Sequence, residues 1–485
     1  MTDHHQKKYQ NRLTAIIEKR GPIKTVGVIG MGYVGIPAAA LFADAPEFQK
    51  VYGFQRDSKS SGYKIELINR GESPLDKDEP ELGDLISKVV SGGKFECTAD
   101  FSRIAECDAI CLAIQTPFAN PKDLIPDFGP LQEGLRQTGK YLSEGALVVL
   151  ESTITPGTTT GMAREILEGE SGLRAGEDFA LAHAPERVMV GRLLKNIREH
   201  DRIVGGIDDP STRRAIELYI PVLTTGSIIP MTATAAEVTK TAENAFRDLQ
   251  IAAANQLALH CEAMGVNVYD VRKGIDSLKG EGITRAILWP GAGVGGHCLT
   301  KDTWHLERGA QQLGGELWYP HGQHSIFGVA RAINDFMPSH MAQLTRDAQD
   351  RAGIDVAESH IALLGWAFIN DSGDARNTPS EPFYNEMEGY GAGMMVHDPF
   401  VADDEAGVPI EDNLDTVLRD ADTIVIFTGH SEYRNLDPLT VKWLSGEDHP
   451  VIVDGRNTID PDSFINAGFI YKGIGRGDKN NHTVI

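Results

Sequence analysis

The chain has 485 residues, a formal net charge of −23 and 41% hydrophobic residues. This length is enough for two to four domains with their own hydrophobic cores. The strong negative charge repels phosphates, so we do not expect the protein to bind nucleic acid. The acidic residues are dispersed along the chain, which indicates a solvated surface and leads to the hypothesis that the protein is adapted to high salt.

No apolar run approaches the roughly 20 residues that a membrane-spanning helix needs, and the first residues, MTDHHQKKYQNRL, are too polar for a signal peptide. We therefore expect a cytoplasmic protein without a membrane partner. The few cysteines lack CxxC spacing, which argues against a disulfide framework and against a metal site. They are Cys97, Cys107, Cys111, Cys261 and Cys298.

The beginning of the chain carries a nucleotide-binding pattern. Residues 1–22 predict a polar helical lead-in, and the β-branched run Thr25–Ile29 is followed by a GxGxxG turn and an apolar helical pattern. In this strand–turn–helix context the glycines are typical of a dinucleotide site, because they allow a tight turn and close approach of a pyrophosphate. The predicted cofactor-binding residues of the turn are Gly30, Met31, Gly32, Tyr33, Val34 and Gly35.

The second predicted strand, Lys50–Phe54, ends where an acidic residue normally accepts hydrogen bonds from the adenosine ribose. Here that position is Gln55, and Arg56 follows it. A neutral residue beside a cation could accommodate a 2′-phosphate. We favour NAD as the cofactor, and NADP stays open as the alternative.

Two later strands predict further parts of the cofactor site. Strand 109–114 ends near Thr116 and Pro117, and strand 146–150 ends near Glu151, Ser152 and Thr153. Ligands of open α/β sheets bind beyond the carboxyl ends of the strands, where a nicotinamide would meet a substrate. A further strand at 179–183 continues the strand–helix alternation, which predicts a parallel, doubly wound sheet.

The pattern changes after about residue 230. Residues 233–264 contain no glycine or proline and predict one long helix that connects domains. On it Glu237, Lys240, Asn244 and Asp248 recur at spacings of three and four, so they share one face. A solvated stripe of polar side chains is the alternative to a functional face.

The loop Trp289–Asp302, WPGAGVGGHCLTKD, combines four glycines with Cys298 and Lys301. Glycines permit positive φ and close approach of a ligand to the backbone. A cysteine in such a loop, with a cation three residues later, is placed to act as a thiolate nucleophile. The alternative is an ordinary glycine-rich turn with a buried cysteine.

A second helix is predicted at 324–348, and strand signals then return. Short apolar runs predict strands at 361–365, 394–396, 423–427 and 451–453. The segment therefore forms a second α/β domain with polar residues at its strand ends. It lacks GxGxxG, so we expect it to bind something other than a second dinucleotide.

Taken together, these motifs resemble the UDP-glucose/GDP-mannose dehydrogenase family from about residue 24 to residue 475. The resemblance rests on GVIGMGYVG, the Thr116-Pro117 turn, ESTITPGT, the KxxxN pair and GVGGHCLTKD. It implies two Rossmann-like, doubly wound parallel-sheet domains joined by a long central helix and a helical dimerisation domain. The implied boundaries are a lead-in at 1–22, an NAD(P)-binding domain at 23–226, a central domain at 227–347 and a UDP-sugar-binding domain at 348–485.

The resemblance implies a four-electron oxidation of a nucleotide sugar at C6, with two NAD(P)+ reduced in turn. Cys298 would attack the C6 aldehyde and carry a thioester, and Lys240 and Asn244 would stabilise the oxyanion. Glu151 and Asp302 would handle the protons and the hydrolytic water. Thr116 would help to hold that water.

The segment Ala184–Val188 and His297 before the cysteine resemble the N-acetylhexosamine branch of the family, whereas Lys301-Asp302 resembles the glucose type. This ranks UDP-N-acetyl-D-mannosamine first, UDP-N-acetylglucosamine second and UDP-glucose third. The implied substrate contacts are Glu186, Arg187, Val188, Lys240, Asn244, Gly295, His297, Arg331, Phe368, Arg376 and Arg456.

The resemblance also implies a homodimer or a dimer of dimers, no metal, and a product for polysaccharide or glycan synthesis. Two other interpretations remain. A two-electron hydroxyacid-type dehydrogenase also joins a Rossmann domain to a long helix, but it needs no nucleophilic cysteine. A dinucleotide-sensing scaffold without activity would have lost catalytic groups that this chain retains.

Overall fold

The computed structural model describes residues 3–59, 61–75, 79–120, 124–187, 192–278, 287–313, 325–402 and 406–480. The chain divides into two compact units. Unit 1 takes the described residues of Met1–Glu243 and Trp304–Trp318. Unit 2 takes those of Asn244–Thr303 and Tyr319–Ile485.

Unit 1 is built on an eight-stranded sheet in the order β10-β9-β8-β7-β4-β1-β2-β3. Strands β5 and β6 form a separate antiparallel pair. The strands are β1 (Thr25–Ile29), β2 (Lys50–Phe54), β3 (Phe95–Thr98), β4 (Ala109–Leu112), β5 (Phe118–Asn120), β6 (Ile125–Pro126), β7 (Leu147–Leu150), β8 (Ala180–His183), β9 (Arg202–Gly206) and β10 (Ile228–Thr232).

Helices cover the unit 1 sheet on both faces, and alternate residues of its strands explain why. Ala109 and Cys111 of β4 belong to one buried cluster, whereas Ile110 and Leu112 belong to another. Burying both faces of apolar strands is what a doubly wound sheet requires. The helices are α1 (Asp3–Arg20), α2 (Gly35–Asp44), α3 (Tyr63–Asn69), α4 (Pro80–Ser91), α5 (Gly129–Tyr141), α6 (Arg164–Ser171), α7 (Leu193–Glu199) and α8 (Asp209–Tyr219).

One edge of this sheet departs from the predicted all-parallel pattern. Strand β9 runs antiparallel to β8, with His183 opposite Gly205, and β10 then runs parallel to β9. The short connection through α7 returns the chain beside β8 in the opposite direction. As a result Arg202, the first residue of β9, lies buried within the sheet.

Four longer helices lie between the two sheets in the sequence. They are α9 (Ala233–Ala263), α10 (Val268–Asp276), α11 (Leu299–Gln312) and α12 (Ile326–Ala352). The predicted long helix is confirmed as α9. Ser325 begins α12 by accepting hydrogen bonds from the amides of Phe327 and Gly328, and Gly353 ends it with a φ of 73°.

The sheet of unit 2 is fully parallel, in the order β12-β11-β13-β14-β15. Its strands again alternate between two buried clusters: Ile361 and Leu363 join one, and Ala362 and Leu364 join the other. The strands are β11 (His360–Leu364), β12 (Gly393–His397), β13 (Thr423–Ile426), β14 (Val451–Asp454) and β15 (Ile470–Gly473). Its helices are α13 (Ser380–Gly389), Leu414–Leu418, Pro438–Ser445, Pro461–Asn466 and Gly477–Asn480.

The predicted fold class, two parallel-sheet α/β domains, is confirmed. Strands β3, β5, β6, β9, β10 and β15 were not predicted from the sequence. Within the described ranges, no helix is long and apolar enough to cross a membrane. No group of three or more His, Cys, Asp or Glu side chains suited to a metal ion occurs there either.

Candidate functional site

The turn between β1 and α2 has the geometry of a dinucleotide cradle. Gly30 has a φ of 99°, and a Cβ on it would lie 2.5 Å from the Ala113 carbonyl oxygen. A Cβ on Gly35 would overlap the Gly30 carbonyl, so this glycine lets the helix pack against the turn. Around Gly32, in contrast, nothing lies within 4 Å of the Cβ position. The chain thus leaves room for a pyrophosphate at Gly32, next to the beginning of α2, where Tyr33 and Val34 lie.

Gln55 fixes this turn from the end of β2. Its Oε1 accepts a hydrogen bond from the Met31 amide at 3.1 Å, and its Nε2 donates to Ser61 Oγ at 2.8 Å. The Met31 side chain is buried, and Lys64 Nζ donates to the Met31 carbonyl at 2.9 Å. Gln55 therefore supports the backbone of the turn, while Arg56 is exposed beside it.

The loops after β4 and β7 are tied together. Ser152 Oγ accepts from the Ile114 amide at 2.9 Å, and Thr116 Oγ1 donates to the Thr153 carbonyl. The Pro117 carbonyl accepts from the Asp127 amide at 2.8 Å. The structure thus brings together the residues that the sequence predicts beside the nicotinamide.

His305 also joins these loops, and sequence reasoning missed it. The ring is fully buried, with Nδ1 3.0 Å from Thr155 Oγ1 and Nε2 3.3 Å from the Thr116 carbonyl oxygen. Because a carbonyl only accepts, Nε2 carries the proton and Thr155 donates to Nδ1. A histidine on an amphipathic helix gives no signal of this kind in a single sequence.

Glu151 and Glu186 share one buried arginine. Arg202 NH2 lies 2.9 Å from Glu151 Oε1, and its NH1 contacts Glu186. Tyr219 donates to the same Glu151 oxygen at 2.7 Å, and its ring lies 4.1 Å from the guanidinium carbon of Arg202. Both carboxylates are nine-tenths or more buried. Glu151 is therefore held in an ion pair, and its proposed role with water or protons stays a prediction.

Burial raises the pKa of Tyr219 well above its ordinary value, with the charges of Cys111 and Glu151 adding to the effect. The phenol thus stays protonated and keeps its hydrogen bond to Glu151. Sequence reasoning missed Arg202 and Tyr219. An arginine at the start of an apolar run was the only signal for the first of them.

The Arg187 side chain contacts a backbone carbonyl and a glutamate of α9. Its NH2 donates to the Asp201 carbonyl at 2.5 Å, and its NH1 lies 3.6 Å from Glu243. The neighbouring Val188, a predicted substrate contact, lies outside the described residues. The role of Arg187 at the sugar stays a prediction.

The polar face of α9 is largely buried, so a solvated stripe is the wrong interpretation. Glu237 is fully buried and accepts from the Gly157 amide at 2.6 Å and the Thr159 amide at 2.7 Å. Burial raises its pKa, and these bonds oppose that rise. Lys240 is 8% exposed.

In unit 2, Asn244 of α9 is bonded to the beginning of α11. Its Nδ2 donates to Asp302 Oδ2 at 2.5 Å, and Lys301 Nζ lies 2.8 Å from Asp302 Oδ1. Asp302 is fully buried. Since an amide nitrogen has two hydrogens, Asn244 Nδ2 keeps a second one beyond its bond to Asp302.

Cys298 immediately precedes α11 and is exposed. Its carbonyl accepts from the amides of Lys301 at 3.1 Å and Asp302 at 3.0 Å. None of the five cysteines, all of which lie among the described residues, forms a disulfide bond. The alternative of a buried cysteine in this loop is therefore wrong.

Gly295 and Gly296 of this loop pack closely against neighbouring protein atoms, and the role of Gly295 at the substrate stays a prediction. A Cβ on Gly295 would lie 2.6 Å from Phe368 Cβ, and one on Gly296 would lie 2.8 Å from the Phe368 ring. The Gly296 amide also donates to the Arg376 carbonyl at 2.8 Å. Phe368 and Arg376 thus hold the loop that presents Cys298.

His297 is partly buried in this loop. Burial lowers its pKa to about 4, and the positive charges of Lys301 and Arg376 add to the shift. The imidazole is therefore neutral at neutral pH, able to donate one hydrogen bond and accept another.

A cavity of about 500 Å³ lies at the carboxyl ends of the unit 2 strands. Arg456 lines it and donates to the Phe368 carbonyl at 3.1 Å. Sequence reasoning missed Arg434, which lines the same cavity. The other lining residues are Trp289, Pro290, Phe368, Ile369, Asn370, Gly429, Asn457 and Thr458.

Two of the arginines predicted as substrate contacts have protein partners. Arg376 forms a two-point ion pair with Asp374, at 2.8 and 2.6 Å. Arg331 is 1% exposed and lies 2.7 Å from Asp248 and 3.0 Å from Asp335. The structure thus places Arg331 in a buried ion pair, and its role at the nucleotide stays a prediction.

Comparison with known proteins places the chain in a family. The NAD binding domain of the UDP-glucose/GDP-mannose dehydrogenase family matches residues 24–223. The central domain of that family matches residues 234–334, and its UDP binding domain matches residues 362–461. The chain belongs to this family. It is therefore an NAD-dependent oxidoreductase of the nucleotide-sugar dehydrogenase type.

Individual relatives cover nearly the whole chain. A solved NDP-N-acetyl-D-galactosaminuronic acid dehydrogenase from Methanosarcina mazei is 68% identical, covers 97% of this chain and 99% of its own, and has a TM-score of 0.90. The UDP-N-acetyl-D-mannosamine dehydrogenase of Pyrococcus horikoshii is 37% identical over 93% of this chain and 99% of its own. That of Campylobacter jejuni is 32% identical over 84% and 96%.

The open position at Gly32 predicts that an alanine there blocks the cofactor without disturbing the fold. We expect Gly32→Ala to keep the wild-type Tm and to weaken NADH binding by roughly tenfold or more. Gly35→Ala is the matched control, because its Cβ overlaps the Gly30 carbonyl and should lower both Tm and affinity. NADH fluorescence titration and thermal unfolding measure the two effects. A wild-type Kd for Gly32→Ala would contradict the placement of the pyrophosphate.

The lowered pKa of His297 predicts a pH-dependent contribution to stability. Between about pH 6.5 and 4 the unfolded chain binds a proton at this residue that the native protein does not. The contribution, at most about 3 kcal/mol, is therefore present above pH 6.5 and is lost as the pH falls towards 4.

We expect Tm to fall less steeply for His297→Asn than for the wild type over that interval, as measured by thermal unfolding at stepped pH. Burial also lowers the pKa of His183, to about 3, but that residue titrates in both proteins and cancels in the difference. Parallel Tm curves for the two proteins would contradict the assignment.

Proposed function

We propose that the protein oxidises C6 of UDP-N-acetyl-D-mannosamine to the carboxylate in two NAD+-dependent steps, with Cys298 as the covalent nucleophile. The observation that carries the proposal is the exposure of Cys298, while the other four cysteines are buried. Burial raises the pKa of Cys97 to about 12, so such thiols stay protonated. Cys298 is the thiol that a substrate can reach.

The Gly30–Gly35 turn would hold NAD+, which would supply the hydride acceptor for each of the two oxidations. The first oxidation converts the C6 alcohol to an aldehyde, and the Cys298 thiolate adds to that carbonyl carbon to give a thiohemiacetal. The second oxidation leaves a thioester on Cys298. Water then cleaves the carbon–sulfur bond, which releases the uronate and returns the thiol.

The side chains proposed to act with Cys298 have the chemistry to stabilise the charge that develops at C6. The second amide hydrogen of Asn244 and the Lys240 ammonium would stabilise the oxyanion of the thiohemiacetal. Asp302 orients Asn244 through their 2.5 Å hydrogen bond. Glu151, Asp302 and Thr116 remain the proposed groups for proton transfer and for holding the hydrolytic water.

The cavity of about 500 Å³ in unit 2 is the proposed nucleotide site. Its size suits a nucleotide-sized ligand. Arg434 and Arg456 supply paired donors for a diphosphate, and the rings of Trp289 and Phe368 offer apolar surface for a base. The UDP binding domain match covers most of the lining residues.

The acetamido sugar is proposed from several relatives and from His297. Relatives named UDP-N-acetyl-D-mannosamine dehydrogenase match the chain from both archaea and bacteria. The neutral His297 next to Cys298 offers both a donor and an acceptor, which suits an amide substituent better than a charged imidazole does. Glu186 and Arg187 lie in the segment that we propose faces the sugar.

The Methanosarcina mazei relative supports a second candidate, UDP-N-acetyl-D-galactosamine. Its 68% identity over 97% of this chain exceeds the 37% identity of the Pyrococcus horikoshii protein. The two candidate sugars share the acetamido group and differ in configuration at C2 and C4, so the same reaction serves both.

We also propose a cytoplasmic homodimer or dimer of dimers. Large apolar side chains on α9 and α12 are exposed, such as Phe246 at 55% and Val329 at 50%. Burial of these side chains between two copies would remove them from water. The thiols of all five cysteines, each within the described ranges, are suited to a reducing compartment.

Cys298→Ser tests the covalent step. Without the thiol no thioester forms, so we expect uronate formation to fall by on the order of 10³-fold and NADH release to fall from two to at most one per sugar. Rapid-quench mass spectrometry should detect a sugar adduct on the wild type and none on the variant. Cys261→Ser is the control for loss of a buried thiol. Near-wild-type uronate production by Cys298→Ser would overturn the mechanism.

Steady-state kinetics with four sugars tests the substrate. We expect kcat/KM to be highest for UDP-N-acetyl-D-mannosamine, followed by UDP-N-acetylglucosamine and UDP-glucose. A higher value for UDP-N-acetyl-D-galactosamine would assign the second candidate. A higher value for UDP-glucose would contradict the acetamido preference itself.

A further inference from the structure

The loop after β11 is held at both of its ends by one buried pair, Asp398 and His430. At its beginning, Asp398 Oδ2 accepts the amides of Trp366 at 2.7 Å and Ala367 at 2.8 Å. At its end, the Asp371 amide donates to His430 Nδ1 at 2.8 Å. The segment between these anchors, Phe368 to Asn370, lines the cavity of about 500 Å³.

The two side chains of this pair also bind each other. His430 Nε2 lies 3.1 Å from Asp398 Oδ2, and the two residues are 0% and 1% exposed. Because the Asp371 amide is a donor, Nδ1 must accept and Nε2 must carry the proton. One carboxylate and one imidazole thus satisfy three backbone amides and each other, which leaves the anchored ends little freedom.

The anchored loop fixes the orientation of Asn370. Its Oδ1 accepts the Gly429 amide at 3.1 Å, which distinguishes the oxygen from the nitrogen of the side-chain amide. Asn370 is exposed at the cavity wall. Among the described residues Nδ2 donates no hydrogen bond, so both of its hydrogens can serve a ligand.

We propose that Asn370 is a further nucleotide-binding residue that donates a hydrogen bond from Nδ2 to an acceptor oxygen of the bound nucleotide, with Asp398 and His430 as its positioning pair. The proposal rests on the nucleotide site proposed above. An amide NH2 selects acceptors, and UDP offers them as uracil carbonyls and as diphosphate oxygens. Because Gly429 has no side chain, the side-chain amide of Asn370 can lie beside the backbone at residue 429.

Asn370→Asp is the sharpest test, because the two side chains have the same shape. The carboxylate still accepts the Gly429 amide, so the loop keeps its anchor, but the outward donor becomes a negatively charged acceptor. Loss of one hydrogen bond weakens binding by about 2–10-fold, and repulsion of an acceptor oxygen adds to it. We expect the Kd for UDP, measured by calorimetry, to rise about tenfold or more. Asn466→Asp, an exposed site outside the cavity, should leave the Kd unchanged.

Competition with inorganic pyrophosphate distinguishes the two possible acceptors. If Asn370→Asp weakens UDP and leaves pyrophosphate unchanged, the acceptor is a base carbonyl. If it weakens both by the same factor, the acceptor is a diphosphate oxygen. An unchanged Kd for UDP in Asn370→Asp overturns the proposal while leaving the nucleotide site intact. A wild-type protein that does not bind UDP overturns the site as well.

His430→Phe tests the positioning pair, since it keeps a ring of similar shape and removes both hydrogen bonds. We expect KM for the UDP-sugar to rise several-fold, with smaller changes in kcat and in KM for NAD+. In the double variant with Asn370→Asp, the two effects on KM should be less than additive, because His430 acts through the same loop. Full additivity of the two effects, or an equal rise in KM for the UDP-sugar and for NAD+, would show that His430 has only a general structural role.

Discussion

The close packing of Phe368 against the glycines of the Cys298 loop is the contact on which the substrate half of the structure depends. Side chains at 295 and 296 would overlap Phe368 or force it away. The same loop receives a hydrogen bond from Asn377 Nδ2 to the Gly296 carbonyl at 3.2 Å. Cys298, the proposed nucleophile, thus lies in a glycine-rich loop that its neighbours hold in place. This agrees with the need to hold a thiol and a carbonyl carbon in a reactive geometry.

In unit 1, buried charged side chains hold the loops that follow the strands. Glu237 accepts hydrogen bonds from two backbone amides in the loop after β7. Arg202 pairs with Glu151, which follows β7, and with Glu186, which follows β8. Buried ion pairs contribute little net stability, since desolvation offsets most of their attraction. These ion pairs instead fix the geometry of the loops, because few arrangements of the side chains keep every buried charge paired. The loops at the cofactor end therefore keep one conformation.

Much of the fold followed from local pattern. The bounds of β1 and β2 were predicted to the residue, because β-branched runs followed by a glycine turn have few alternative structures. The composition of the Cys298 loop, one cysteine among four glycines, drew attention to this site, but a buried cysteine in an ordinary turn stayed open until the structure showed Cys298 to be exposed. The antiparallel β9 escaped prediction, because strand direction depends on the path of α7 and not on the residues of the strand.

The partners of the site residues could not be predicted in the same way. Arg202, Tyr219 and His305 are distant in sequence from the groups they bind, and a single chain carries no signal of such pairs. Arg331 is a predicted substrate contact, and the structure shows that its guanidinium is already paired with the buried Asp248. Sequence patterns identify which residue types chemistry requires, whereas burial decides which charges are already matched within the protein.

Burial also distinguishes Cys298 from the other four cysteines. Solvent is excluded from four of them, and for Cys97 the cost of placing a thiolate there raises the pKa to about 12. Cys298, in contrast, is exposed directly before α11. The difference between the five thiols therefore follows from where the fold places each sulfur, since four are buried and one is exposed.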